Sequence, residues 1–225
     1  MKRQAMPKVA LGLFLLLLLF TTKINAAEIN LLDYFLLKAG HWSRFTYFTP
    51  EFPDFTIKAE ILTSGPFSGK YRVGDYVFPE EDRMTWRILS WDQTTAYIYA
   101  TNFGVFNPPI ALPLVYPTNT LIPHPFESGI YWYFRLTSSI TVPAGTFNDV
   151  VEWFVLDSAY PPNSINNQAG LDVPYAVTGV DWYGRGVADL ADMDVDAATG
   201  NVLYVYALHS TGKSGGGYVP PLLLD

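Results

Sequence analysis

Three histidines, His41, His124 and His209, are all the imidazoles this chain has. No two of them stand at a metal-binding spacing and no HExxH pattern occurs, so they read as a turn, a loop and a strand-end residue. Cysteine is absent, which excludes a thiol nucleophile, thiolate metal sites, c-type haem attachment and a lipid-modified N-terminal cysteine. Gly215-Gly216-Gly217 has no following helix to make it a phosphate loop. Glu60, Glu127 and Glu152 are isolated, with nothing to single out the facing pair that glycoside hydrolysis needs. The expectation is a protein without catalytic activity and without a cofactor.

Two sets of residues still invite a binding role. Asp189, Asp192, Asp194 and Asp196 form a dense acidic run. On an extended strand Asp192, Asp194 and Asp196 share a face, close enough to gather Ca²⁺ with oxygen ligands, although the glycine and closing glutamate of an EF-hand loop are missing. The competing reading, which the sequence favours, is a solvated edge face that discourages pairing with another sheet. The second set is aromatic. Trp42, Trp86, Trp91, Trp132, Trp153 and Trp182, with their tyrosine neighbours, could line an apolar pocket or stack on sugar rings, while core packing is the ordinary fate of any one of them. Trp42, Trp86, Trp132, Tyr133, Trp182 and Tyr183 are the candidate ligand contacts.

The elements that must position these side chains begin after a leader. Lys2, Arg3 and Lys8 precede a run of Ala, Val, Leu and Phe from Val9 to Phe20, and a polar step leads to Ala26-Ala27. That order is a secretory signal peptide with cleavage expected after Ala26; an apolar core of about 12 residues is too short to serve as a transmembrane anchor, which needs about 20. Residues 27–211 then form a single domain, and 212–225 a flexible tail. The chain carries 14 basic and 21 acidic residues. Residues 1–26 hold four of the basic ones and no acidic one, which leaves ten against 21, a net charge of −11. That sign repels phosphate backbones and argues against nucleic acid as a partner. The destination is the periplasm or the extracellular space.

Aromatic and charged residues each make up 16% of the chain, with 17 glycines and 17 prolines, a balance that favours strands and turns. One short helix is expected over Ile29–Leu37, ending at Gly40. Period-two alternation follows, clearest at Phe55–Ile61. Further strands are expected at Trp42–Phe48, Lys70–Phe78, Met84–Trp91, Thr95–Thr101, Ile130–Thr137, Val150–Leu156, Gly186–Val195 and Val202–His209. Ser64-Gly65-Pro66, Pro79-Glu80-Glu81-Asp82, Asp92-Gln93, Ala144-Gly145 and Thr199-Gly200 supply turns between them. Residues 107–125 hold six prolines, which exclude a central strand, and 157–178 reads as a long loop. The fold class is all-β, with antiparallel connections.

Three motifs sharpen that class. Tyr34-Phe35-Leu36-Leu37-Lys38-Ala39-Gly40-His41-Trp42, Val142-Pro143-Ala144-Gly145-Thr146-Phe147-Asn148-Asp149-Val150 and Trp182-Tyr183-Gly184-Arg185-Gly186-Val187-Ala188 occur in this order. Together they resemble the DUF3108-like and TapB-like group of exported bacterial proteins. The resemblance spans residues 34–208 and implies a curved antiparallel sheet, a half-barrel or open barrel. It departs at Leu36 and His41, where the group has Pro and Asn, and it brings no catalytic residues. The functional expectation is an exported envelope protein that binds a lipid or other amphiphilic molecule in a concave sheet. The alternative is a structural or assembly protein with a partner in the cell envelope.

Overall fold

Alternation of apolar and polar side chains makes strands wherever one face can be buried, and this chain does so almost throughout. The computed structural model describes residues 27–34, 38–48, 52–77 and 83–213. The expected leader and most of the expected tail lie outside the described residues. Fourteen strands run in the order β1 (Glu28–Asn30), β2 (His41–Tyr47), β3 (Phe55–Ile61), β4 (Tyr71–Val77), β5 (Arg83–Trp91), β6 (Thr95–Thr101), β7 (Gly104–Pro113), β8 (Val115–Pro117), β9 (Leu121–Pro123), β10 (Ile130–Val142), β11 (Gly145–Asp157), β12 (Ala176–Gly184), β13 (Ala188–Val195) and β14 (Val202–Lys213). The α-helix α1 spans Ser164–Ala169.

Twelve of these strands form one sheet in the order β7-β6-β5-β4-β3-β2-β14-β13-β12-β11-β10-β9. Every neighbouring pair is antiparallel, as the short connections demand. The seam is the pairing of β2 with β14, where Phe45 faces Leu208 and Trp42 faces Gly212. Two arms grow outward from it, one through β3 to β7 and the other through β13 to β9. The sheet is not closed. Its two far edges, β7 and β9, carry Pro108, Pro109, Pro113 and Pro123, residues that blunt an edge because they offer no donor. The chain passes from one edge to the other through β8, which pairs with β1 in a separate two-stranded ribbon. Leu114 accepts from the Leu31 N–H and donates to the Thr94 carbonyl, and Asn119 N–H reaches the Phe134 carbonyl. The proline-rich segment therefore ties the two arms together across the open side.

Turn chemistry sets the register. At the β10–β11 hairpin Gly145 has φ +133°, a conformation only glycine adopts freely, and Val142 pairs with Gly145. Between β5 and β6 the Asp92 carboxylate accepts from the Thr94 and Thr95 N–H groups at 2.8 and 2.9 Å. Gly184 ends β12, where an added Cβ would lie 2.9 Å from the Leu190 side chain. Register shifts between Asp75 and Tyr76, Ile88 and Leu89, Trp182 and Tyr183, and Leu208 and Ser210 bend the ladder, as bulges do.

Both faces of the β10–β13 arm are covered. Outside, α1 and the segment after it bring Ile165, Leu171 and Val173 onto Phe154, Leu156, Val177 and Val180. Inside, Ile29, Leu31 and Tyr34 pack on Leu114, Tyr116, Trp132, Phe134 and Val151. The stretch expected as one loop, 157–178, thus contains a helix and the start of β12. Asn163 caps α1 and Asn166 completes a capping box. The helix expected over Ile29–Leu37 is instead β1 followed by a 3₁₀ turn at Leu31–Asp33; residues 35–37 lie outside the described residues. Helical spacing was present, but Glu28–Asn30 finds a strand partner in β8, and a partner outweighs propensity in so short a piece. Residues 212 and 213, placed in the tail, extend β14 along β2, and Trp42 lies against Gly212. The strands β7 and β12 were not anticipated as such.

Asn166 is the polar anchor of the outer layer. It is buried, and its side chain accepts from Asn163 N–H and Val177 N–H and donates to the Tyr175 carbonyl. Asn166→Ala leaves these backbone groups without partners, a loss of about 2–4 kcal/mol in urea unfolding. An unchanged midpoint would show that α1 is dispensable to the sheet.

Candidate functional site

The bend brings residues from both arms around one cavity of about 270 Å³. Ile57 of β3, Val73 of β4, Leu89 and Trp91 of β5 and Ala96 and Ile98 of β6 form one wall, while Trp132 of β10 and Trp153 of β11 form the other. Leu31, Leu32, Leu114 and Tyr116 lie across the open side. These side chains share a face because the pairings Val73–Arg87, Tyr71–Leu89, Leu89–Ile98 and Phe134–Trp153 keep the alternation in step across the bulges. Tyr116 stacks on Phe134 with centroids 4.8 Å apart, and burial pushes its phenol up to about 12.

One end of this apolar space is acidic. Asp181 of β12 stands opposite Asp192 of β13, Gly179 opposite Asp194, and Tyr183 opposite Asp189. Tyr206 donates to Asp189 Oδ2 at 3.3 Å and Tyr183 to Asp181 Oδ1 at 3.4 Å. Burial is the main cause that raises all three buried carboxyls, with like-charged neighbours next. Asp181 is pushed up to about 8 and Asp192 to about 6, and Asp189 rises well above the usual carboxylate range. Arg87 of β5 lowers Asp181 and Asp189 only as a minor influence. Two polar atoms of cavity-lining residues are shut off from solvent and have no hydrogen-bond partner: Asp189 Oδ1 and Trp153 Nε1.

Of the six candidate contacts, Trp132 and Tyr183 line this cavity. Trp42 and Trp86 alternate with Ser43 and Arg87 and sit opposite Lys58 and Gly74, on the other face of the sheet. Tyr133 and Trp182 are also on that outer face. Tyr133 packs on Phe154 and donates to Asn119 Oδ1, and Trp182 Nε1 donates to Glu152 Oε1 at 3.1 Å. Glu152 in turn takes the Arg135 guanidinium at 2.6 Å. The acidic run needs a larger correction. β13 is paired on both sides, by β12 and β14, so it is no edge. Asp192 and Asp194 face inward beside Tyr206 and Tyr204, and Asp196 leaves the face to accept from Thr199 N–H in the β13–β14 turn. Among the described residues no three acidic or histidine side chains converge as metal ligands.

Sequence reasoning missed Arg87, Leu89 and Asp181 as lining or facing residues, and it left Trp91, Trp153 and Asp189, which it had singled out, outside the six candidate contacts. Arg87, Leu89 and Trp91 recur at period two in β5, which would have placed them together. Asp181 sits in Val-Thr-Gly-Val-Asp-Trp-Tyr, and a carboxylate inside so apolar a strand is itself a signal.

No family model matches the chain, and no curated protein matches it in sequence. The likeness to DUF3108-like and TapB-like proteins rests on the three motifs alone. Two solved structures resemble the fold. One is of a protein of Parabacteroides distasonis classed provisionally as a lipoprotein, the other of a protein of Bacteroides fragilis classed provisionally as exported and having a YmcC-like fold. Each is 11% identical over 80% of this chain, with TM-score 0.43, and the match covers 98% and 99% of their respective lengths. Among the described residues no helix is long and apolar enough to cross a membrane.

The buried acids make stability depend on pH. A carboxyl whose folded pKa is raised favours the fold while it is protonated, and that contribution is lost as pH rises through the folded value. For Asp192 and Asp181 the loss runs through about 6 and about 8. Asp181→Asn should match the parent near pH 4 and exceed it by roughly 5–10 °C in Tm at pH 8. A constant difference at all pH values would mean that Asp181 is solvated in the fold.

Proposed function

We propose that this is an exported, non-catalytic binding protein of the cell envelope, which holds an apolar or amphiphilic molecule in the concavity of its sheet. One observation carries the reading. A cavity walled by Leu89, Trp91, Ile98, Trp132 and Trp153 reaches one carboxyl, Asp189, and a polar atom of Asp189 and of Trp153 lacks a partner. Apolar walls with a few convergent polar groups are the ordinary form of a small-molecule site. Unpaired buried polar atoms are costly, and a hydrogen-bond donor on a ligand's polar head would satisfy Asp189 Oδ1. A cavity of about 270 Å³ is at the small end of the range of small-molecule sites. Export follows from the leader reading of residues 1–26.

The assembly-protein alternative draws on a different surface. At the β6–β7 tip Phe103 is 90% exposed and Val105 68%, next to the sheet edge β7. Phe103→Ser tests it: co-purifying envelope proteins should be lost if the tip docks a partner, with the cavity unaffected.

Binding in the cavity is checked with N-phenyl-1-naphthylamine, a probe that fluoresces in apolar surroundings. The protein should enhance its emission saturably. Ala96→Trp, which fills the cavity from β6, should weaken binding at least tenfold with the strand signal in circular dichroism unchanged. Equal binding by parent and variant would move the site elsewhere.

A further inference from the structure

The charges that surround the polar end of the cavity are unbalanced. Asp181 from β12 and Asp189, Asp192 and Asp194 from β13 lie on one inner surface, with Asp75 of β4 on the same face of the other arm. Tyr183, Tyr204, Tyr206 and Tyr47 bring hydroxyls from β12, β14 and β2. Of these five carboxyls the cavity wall itself carries Asp189, and its one cation among the described residues is Arg87 of β5; the other four stand on the same inner face beyond the wall. Asp75 already accepts from the Thr85 hydroxyl. Asp189 is engaged on one oxygen only, by Tyr206, and its Oδ1 is buried in the wall without a donor. Trp153 and Tyr183 stand beside this group with ring centroids 6.0 Å apart, and both line the cavity. Aromatic faces next to carboxylates attract an organic cation in two ways, through the ring quadrupole and through direct charge.

We propose that the acidic end selects an amphiphile with a primary ammonium head, whose N–H groups bond Asp189 and its acidic neighbours beside the Trp153–Tyr183 ring pair while its alkyl chain lies along Leu89, Trp91 and Ile98. This rests on the cavity being a ligand site and adds the class of its ligand. An anionic head, such as a fatty acid carboxylate, would meet the carboxyls at close range with only Arg87 in its favour. A neutral alcohol could bond Asp189 but would give these carboxyls no counter-charge on ionising. The ammonium does both jobs at once. It supplies donors to Asp189 and replaces the protons that these buried carboxyls otherwise hold. Binding must then expel protons, so affinity rises with pH between about 5 and 8, in the sense opposite to that of a carboxylate ligand.

The test uses the intact protein and three probes with one chain length: decylamine, decanol and decanoate. Isothermal titration calorimetry at pH 8, in two buffers of different ionisation enthalpy, gives affinity and proton release together. Decylamine should bind at least tenfold more tightly than decanol and release protons, with decanoate the weakest. Asp189→Asn should bring decylamine to within about twofold of decanol and leave decanol unchanged. If decanol or decanoate binds as tightly as decylamine, the head-group assignment is overturned and the apolar site stands. If no probe binds, both fail. Proton release by the unmodified protein keeps the proposal falsifiable should Asp189→Asn fail to fold: decylamine binding that releases no proton overturns it.

Discussion

The pairing of β2 with β14 is the constraint on which the molecule depends. It splices the first long strand of the sheet to the last, so that residues more than 160 positions apart in sequence share one ladder. Contacts of that separation cost loop-closure entropy, which grows only slowly with length, and they must be repaid by burial. Phe45, Phe55, Leu190 and Leu208 provide it at the seam, each nearly or fully buried. Phe45, Phe55 and Tyr206 form mutual ring contacts at 4.9–5.4 Å, Phe45 stacked on Phe55 and Tyr206 edge-on to both, which add to area burial. Without this seam the two arms would be separate antiparallel meanders, joined across the open side by the proline-rich segment and sharing no ladder.

From the seam the rest follows by geometry. A sheet of this width cannot stay flat, since strand twist accumulates and bulges bend it further. Bending turns one face inward, and the two arms approach too closely to leave that face to water and too far apart to fill it. The chain meets the shortfall with two short segments: β1 and the 3₁₀ turn that precede β2, and β8 from the proline-rich crossing. Asp33 and Tyr34 anchor this strap to the β12–β13 turn through Arg185, at 3.1 Å in each case. The strap covers the concavity without filling it, and a cavity remains between apolar walls.

The acidic end is where the fold gives up stability. Carboxyls on neighbouring strands repel one another and are dehydrated at the same time, an arrangement that packing alone would replace with apolar side chains. The outer face shows the contrast. There Glu152 takes both Arg135 and Trp182, and Asn166 is bonded on every side. Glu152 and Asn166 on that face have their partners, whereas Asp189 Oδ1 and Trp153 Nε1 of the cavity wall have none. The difference separates a face built for cohesion from one that a ligand can complete.

The all-β class, the Phe55–Ile61 strand, the β10–β11 hairpin and the exclusion of residues 107–125 from any central strand were legible in the sequence, because alternation, glycine and proline act within a few residues. A short α-helix at Ser164–Ala169 was not, since its capping asparagines look like loop residues until Val177 and Tyr175 supply their partners. Nor could period-two patterning say which face would turn inward. Trp42 and Trp132 are equally aromatic, yet one lies against Gly212 on the outside and the other on the cavity. The same holds for Asp192 and Asp194, whose surroundings depend on whether β13 is an edge or an interior strand. Side-chain alternation is local and belongs to the sequence. Strand order and the direction of the bend arise from contacts between residues far apart in the chain, and only the tertiary structure decides them.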